Sequence, residues 1–144
     1  MPYWRLFYHI VWATKHRLPL ISPEVEAVTY PVIAEKAREL GVIVYALNGI
    51  EDHVDIAVAA RPNLAPATIV GQLKGRSSRV ASRHFGSEFK WQTGYGVHSF
   101  GEKHLPWVVE YIERQKEHHA ERTVVAQLEV LSDDDNGPSG VSAD

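Results

Sequence analysis

Residues 3–14, YWRLFYHIVWAT, constrain the fold more than any other stretch, because they are aromatic and β-branched with few helix formers and so read as one long strand. Side chains alternate across a strand, which places Trp4, Leu6, Tyr8, Ile10 and Trp12 on one face and Arg5, Phe7, His9 and Val11 on the other. Both faces are partly apolar. Such a strand is either central in its sheet or has one face covered by a partner chain. At 144 residues the chain has the length of one domain. A domain of that size buries roughly two-thirds of the surface its unfolded form exposes, and needs no covalent staples. There is no cysteine, which excludes disulfides and thiolate zinc sites. No apolar run approaches membrane-spanning length and the N-terminus does not read as a secretory leader, so the expectation is a soluble cytoplasmic protein without a membrane partner.

After the basic loop Lys15-His16-Arg17, Ser22 and Pro23 mark a helix start: a capping hydroxyl, then a proline whose missing N–H is not needed there. Val25, Val28, Val32, Ile33, Ala37 and Leu40 follow at mostly helical spacing, and Gly41 suits a left-handed stop. Pro31 is expected to kink this helix or to split it near Thr29 and Tyr30. Residues 42–47 and 54–59 read as an antiparallel hairpin, with its turn at Asn48-Gly49 or, alternatively, at Glu51-Asp52. A second helix over 66–84 turns Ile69, Val70, Leu73, Val80 and Ala81 inward, and residues 91–100 read as a fourth strand. Leu105 opens a third helix, striped by Leu105, Val108, Val109 and Ile112. The order β-α-β-β-α-β-α is the ferredoxin-like split βαβ pattern with an extra C-terminal helix. It is an α+β fold with a four-stranded antiparallel sheet, two helices on one face and the other face free. Residues 1–121 form one domain, and 122–144 an acidic tail expected to be at least partly disordered.

The overall charge of −3 conceals a basic body. From Glu121 to Asp144 six acids face one base, Arg122, a net of −5, which leaves residues 1–120 at +2. Lys74, Arg76, Arg79 and Arg83 all lie on the second helix, the last three nearly on one stripe, with Gly71, Gly75, Ser77 and Ser78 between them. This is either a surface that admits a nucleic-acid backbone or a solvated helix face.

Two pairs of residues suggest chemistry. In the run NGIEDHVDIAVAA, alternation puts His53 and Asp55 on one strand face and Val54, Ile56 and Val58 on the other. An imidazole and a carboxylate at that spacing suit Mg²⁺ or Mn²⁺, although two such residues are also ordinary on a solvated face. Tyr111 and Gln115, four apart, share one flank of the third helix, with His118 and His119 a turn later. If Val54, Ile56 and Val58 face the helices, the third helix could bring both pairs together on the opposite face.

Five stretches in order, FYHIVWATKHRLPLI, DHVDIAV, IVGQLKGRSSRVAS, WQTGYGVHSF and YIERQKEHH, resemble the single-tyrosine transposases of bacterial insertion sequences and their REP-associated relatives, which are HUH-type enzymes of single-stranded DNA. The resemblance spans residues 5 to about 120. It implies that His53 is the first histidine of the family's metal-binding pair, Tyr111 the nucleophile and Gln115 the residue completing a divalent-metal site. It also implies cleavage and rejoining of hairpin DNA ends through a 5′-phosphotyrosine, and a homodimer. The family's second histidine is Asp55 here, which leaves one His, one Asp and one amide oxygen as ligands unless His118 or His119 helps. Lys74, Arg76, Arg79 and Arg83 would then hold phosphates, and Trp91, Tyr95 or Phe100 would either stack on bases or pack in the core. The competing readings are a nucleic-acid-binding module with a decayed metal site and a structural domain without nucleic acid.

Overall fold

The computed structural model describes residues 3–121, so the expectations for the acidic tail lie outside the described residues. The first strand, β1 (Phe7–Ala13), leads through a 3₁₀ turn (Lys15–Arg17) into α1 (Pro23–Glu39), followed by β2 (Ile43–Ile50) and β3 (His53–Ala59). Then come α2 (Pro66–Phe85), β4 (Gly96–Phe100), α3 (Leu105–Glu113) and α4 (Gln115–Glu121). The strands form one antiparallel sheet in the order β2-β3-β1-β4. This is the ferredoxin-like arrangement, with β1 and β3 at its centre. Strand β1 is shorter than its residue types suggest, and its apolar double face follows from being central.

One face of the sheet presents Ile10, Trp12, Val54, Ile56 and Val58 to Val25, Ile33 and Ala37 of α1 and to Ile69, Val70, Leu73 and Ala81 of α2. Helix α1 is a single run through Pro31 rather than a kinked or split pair. Proline removes one helical hydrogen bond, to the carbonyl of Ala27, but both residues are exposed, so solvent can take that carbonyl. The helix is capped by Ser22, whose Oγ accepts from Val25 N at 3.3 Å, and stops at Gly41 with φ +76°.

The opposite face is not free. Helix α3 lies across it and buries Val108, Tyr111 and Ile112 against Ala46 of β2 and Ala57 of β3, two small residues that let the helix approach closely. The apolar stripe of α3 needs this cover, and every residue of β3 is consequently buried.

The β2–β3 turn falls at Glu51-Asp52, because Ile50 pairs with His53, and Asn48-Gly49 continues the strand. Gly49 is required there for close approach: a Cβ would collide with the His53 carbonyl oxygen and lie 3.0 Å from Val54 Cα. The expected strand over 91–100 is reduced to 96–100, with Trp91 bridging separately to Thr14. Trp91 is committed to the core, where its Nε1 donates to Ser77 Oγ at 3.0 Å and its ring meets those of Trp12 and Phe89 edge-on. The expected single third helix is two, broken at Arg114 (φ −100°, ψ 20°). Asn48 Nδ2 donates to the carbonyls of Ile112 and Glu113 at 3.1 and 3.0 Å, which takes two acceptors from the helical ladder at the break.

Candidate active site

The antiparallel register brings the chemistry of two strands to one place on the α3 face. Val11 pairs with Asp55 and Ala13 with His53, so His9, Asp55 and His53 point into the same layer. His9 and Asp55 are fully buried and His53 is 2% exposed, where alternation alone allowed a solvated face. His9 Nε2 lies 2.8 Å from Asp55 Oδ1, and His53 Nε2 lies 3.2 Å from Asp55 Oδ2. The second contact is close without being aligned as a hydrogen bond, and His9 Nδ1 likewise has no hydrogen-bond partner among the described residues. His53 Nδ1 is 2.9 Å from Asp52 Oδ1.

The break at Arg114 makes Gln115 the first residue of α4 rather than a neighbour of Tyr111 on one continuous helix, and it still reaches the site. Its Oε1 is 3.2 Å from His53 Nε2 and 3.1 Å from His119 Nε2. Lys116 secures α4 to the hairpin, with Nζ donating to Asn48 Oδ1 at 2.8 Å and Gly49 O at 3.0 Å and pairing with Glu26 at 2.8 Å. Tyr111 is only 3% exposed. Its ring is stacked between those of Trp107 (centroids 5.6 Å apart) and His118 (4.8 Å), and meets His9 edge-on at 6.5 Å.

Both carboxylates are held in the charged form. Burial pushes the Asp55 carboxyl up, but its contacts with His53 and His9, and their charge, outweigh burial and bring it below the ordinary carboxylate value. Asp52 is lowered by its hydrogen bond to His53, against opposing burial, with Arg17 and His119 adding to the effect.

These residues are chemically suited to a divalent cation. A neutral imidazole has one N–H. If Asp52 takes it at Nδ1, the Nε2 lone pair of His53 faces two oxygens, Asp55 Oδ2 and Gln115 Oε1, each 3.2 Å away. Adjacent ligands of one cation with bonds of about 2.1 Å lie about 3 Å apart. Among the described residues no three His, Asp or Glu side chains gather as a group that could hold a metal ion, so a third donor to a cation would have to be of another kind, such as the amide oxygen of Gln115.

The basic residues of α2 sit in the other layer, across the sheet from Tyr111. Lys74 Nζ donates to the carbonyls of Gln92, Thr93 and Gly94 and so folds the approach to β4, while Arg76 lies 3.6 Å from Glu39. Arg79 and Arg83 are exposed. Sequence reasoning did not single out His9, Trp107, Asn48 or Lys116. Alternation placed His9 on the correct face of β1, but only the pairing with β3 brings it to Asp55.

Comparison with known proteins identifies the family. The chain matches the family described as IS200-like transposases over residues 2–115. It is 26% identical over 120 residues to the ISDra2 transposase TnpA of Deinococcus radiodurans, covering 78% of this chain and 85% of that one. It is 27% identical over 121 residues to the transposase of insertion sequence IS200 from Salmonella typhimurium, covering 79% of each. A crystallised Deinococcus radiodurans protein, provisionally named a transposase, superposes with a TM-score of 0.65 at 27% identity, over 80% of this chain and 95% of that one. A REP-associated tyrosine transposase bound to a REP hairpin superposes with a TM-score of 0.64, over 83% of this chain and 74% of that one, and at 13% identity shares the fold. With the family pattern running from the first strand to Gln115, the chain belongs to the IS200-like transposases.

Proposed function

We propose that this chain cleaves and rejoins single-stranded DNA at hairpin ends, with the Tyr111 phenol as nucleophile and with His53, Asp55 and Gln115 holding Mg²⁺ or Mn²⁺. The observation that carries this reading is the meeting of Tyr111, His53, Asp55 and Gln115, from β3, α3 and α4, in one buried layer, with donor separations suited to a cation. Relatives named as transposases, and a fold neighbour bound to a hairpin, agree with DNA as the partner.

The phenol, with an ordinary pKa of about 10, must lose its proton as its oxygen attacks phosphorus. The bond to the 3′-oxygen breaks in the same displacement. The products are a tyrosine 5′-phosphodiester and a 3′-oxygen that takes up a proton. One ester replaces another, so a 3′-hydroxyl can reverse the step and rejoin strands without nucleotide hydrolysis. A bound divalent cation would supply polarisation of the phosphate and neutralise charge on its oxygens. In the chain itself, Asp52 holds the His53 ring through Nδ1 and His9 holds Asp55 through Oδ1, so His53 Nε2 and Asp55 Oδ2 stay together near Gln115. Tyr111 must be uncovered to react. Trp107, 52% exposed, is the ring over it that DNA can displace most easily.

The burial of Tyr111 and the carboxylate at position 55 favour a second reading, a nucleic-acid-binding module of the same fold with no strand cleavage. One experiment separates the two. Incubated with labelled hairpin oligonucleotides and Mn²⁺, the wild-type protein should leave a DNA–protein adduct that survives denaturation, and Tyr111→Phe should leave none while binding DNA as before. Absence of the adduct on DNA that the protein binds would leave the binding-module reading. The proposal includes a homodimer, and light scattering at micromolar concentration that finds only a 16.2 kDa species would remove that part.

A further inference from the structure

A second group of cations lies outside the site just described. The 3₁₀ turn after β1 and the segment before β4 enclose a cleft of about 450 Å³, lined by Lys15, His16, Arg17, Lys90, Trp91 and Thr93 among others, with no acid among the described residues of its lining. Its two walls are joined by backbone hydrogen bonds, Lys15 N to Lys90 O at 2.9 Å and Gln92 N to Ala13 O at 2.8 Å, so the cleft is preformed. Lys15, His16, Arg17 and Lys90 are all exposed.

The turn itself is strained. His16 and Arg17 both adopt the left-handed conformation, with φ 57° and 53°, which non-glycine residues avoid and which is rare in consecutive positions. Thr14 enforces it: Thr14 Oγ1 donates to Leu18 O at 2.6 Å, and Thr14 O accepts from Arg17 N at 3.0 Å. No residue of the turn is buried, so core packing does not explain the conformation. Strain held in an exposed, charged turn points to a role in binding.

The position of the turn indicates what it binds. Thr14 N donates to Asp52 O at 2.9 Å, and an Arg17 guanidinium nitrogen lies 3.9 Å from Asp52 Oδ2, while Asp52 Oδ1 holds His53. Asp52 therefore links the turn that forms one wall of the cleft to the His53 site, without itself lining the cleft. By contrast, the basic stripe of α2 lies in the opposite layer, with Lys74 engaged by carbonyls and Arg76 beside Glu39. Trp91 offers an apolar wall rather than a free stacking platform, since its ring packs on Trp12 and Phe89.

We propose that this cleft is a phosphate-binding site for single-stranded DNA, in which Lys15, Arg17 and Lys90 hold the backbone of the unpaired strand flanking a hairpin and align it with the His53 site through Asp52. A concave cleft of this size admits a single strand, whereas protein elements that read a duplex insert into its grooves. This inference rests on the proposed function for its substrate but not on Tyr111 being active.

The test is fluorescence anisotropy with the full chain and two oligonucleotides, a hairpin with a single-stranded flank and the same hairpin without one. Lys15→Glu combined with Lys90→Glu should weaken binding of the flanked hairpin at least tenfold. Each single-strand phosphate contact contributes about 0.7 to the slope of log affinity against log salt, so loss of two should reduce the slope by about 1.4. Binding of the hairpin alone should be unchanged. The milder Lys15→Gln with Lys90→Gln should show the same pattern at smaller size, and thermal melting should match wild type for both pairs. Unchanged affinity and slope for the flanked hairpin would overturn the inference, as would equal weakening of both oligonucleotides, which would mean duplex contact. If the flank effect appears but wild type forms no Tyr111 adduct, the cleft stands and the cleavage reading falls. If wild type binds neither oligonucleotide, both fall.

Discussion

Helices of the same chain cover both faces of the sheet, yet the two interfaces differ in kind. Toward α1 and α2 the strands present Ile10, Trp12, Val54, Ile56 and Val58, all fully buried and apolar. Toward α3 and α4 they present His9, His53 and Asp55, equally buried but polar, beside a small apolar cluster around Ala57, Tyr111 and Ile112. Strand β3 serves both, one residue in two for each. Burial of apolar surface stabilises strongly, whereas a buried charged pair roughly balances its own desolvation. The first face therefore holds the fold together, and the second can be given over to ligands because its neighbour carries the stability.

The largest expected difference between the two faces is at adjacent residues of β3. Ile56→Ala on the first face should destabilise the chain by about 2–5 kcal/mol in urea unfolding. Asp55→Asn on the second preserves shape, and should cost far less stability while lowering Mn²⁺ affinity in calorimetry by about a hundredfold or more, equivalent to about 2.7 kcal/mol. If the stability losses are reversed, the second face is the structural one. Acid unfolding sharpens the same contrast. The folded-state value of Asp55 lies below its ordinary 3.8, so its ionised form stabilises the native state above that pH and ceases to do so as pH falls through the lower value. The gap between wild type and Asp55→Asn should accordingly be widest near neutrality and close as the pH falls through that lowered value.

A smaller effect is expected at His9, which reaches His53 and Gln115 through Asp55. His9→Phe should weaken Mn²⁺ binding by about tenfold, the usual result of removing a group that orients a ligand. His9→Gln, whose amide can still donate to Asp55 Oδ1, should recover part of it. A loss of Mn²⁺ affinity that tracks lost stability alone, with no recovery in the glutamine variant, would make His9 a packing residue.

The succession of strands and helices and the apolar face of each helix were legible in the chain because they are periodic, and so was the placing of His53 beside Asp55, whereas Tyr111 and Gln115, expected as neighbours on one helix, lie on either side of the break at Arg114. Other features misled for physical reasons. Asn48-Gly49 has the composition of a turn, but Asn48 is there to bond the carbonyls of Ile112 and Glu113, and Gly49 because the His53 carbonyl oxygen leaves no room for a side chain. Pro31 signals a kink that its exposed position does not require. Lys74 belongs by spacing to the basic helix, while its ammonium is taken up by the loop at 92–94.

By itself, the sequence determined the alternation that splits each strand into two faces, the capped start of α1, the left-handed stop at Gly41, and the presence of an imidazole and a carboxylate on one face of β3. These follow from preferences that act within a few residues. Only the tertiary structure decided that the second face is covered, that α3 ends at Arg114, that His9 reaches Asp55 and that Gln115 reaches His53. Those contacts join residues 46 and 62 positions apart, and they depend on strand register and helix docking. Both are set by the packing of the whole core, and no local pattern encodes them.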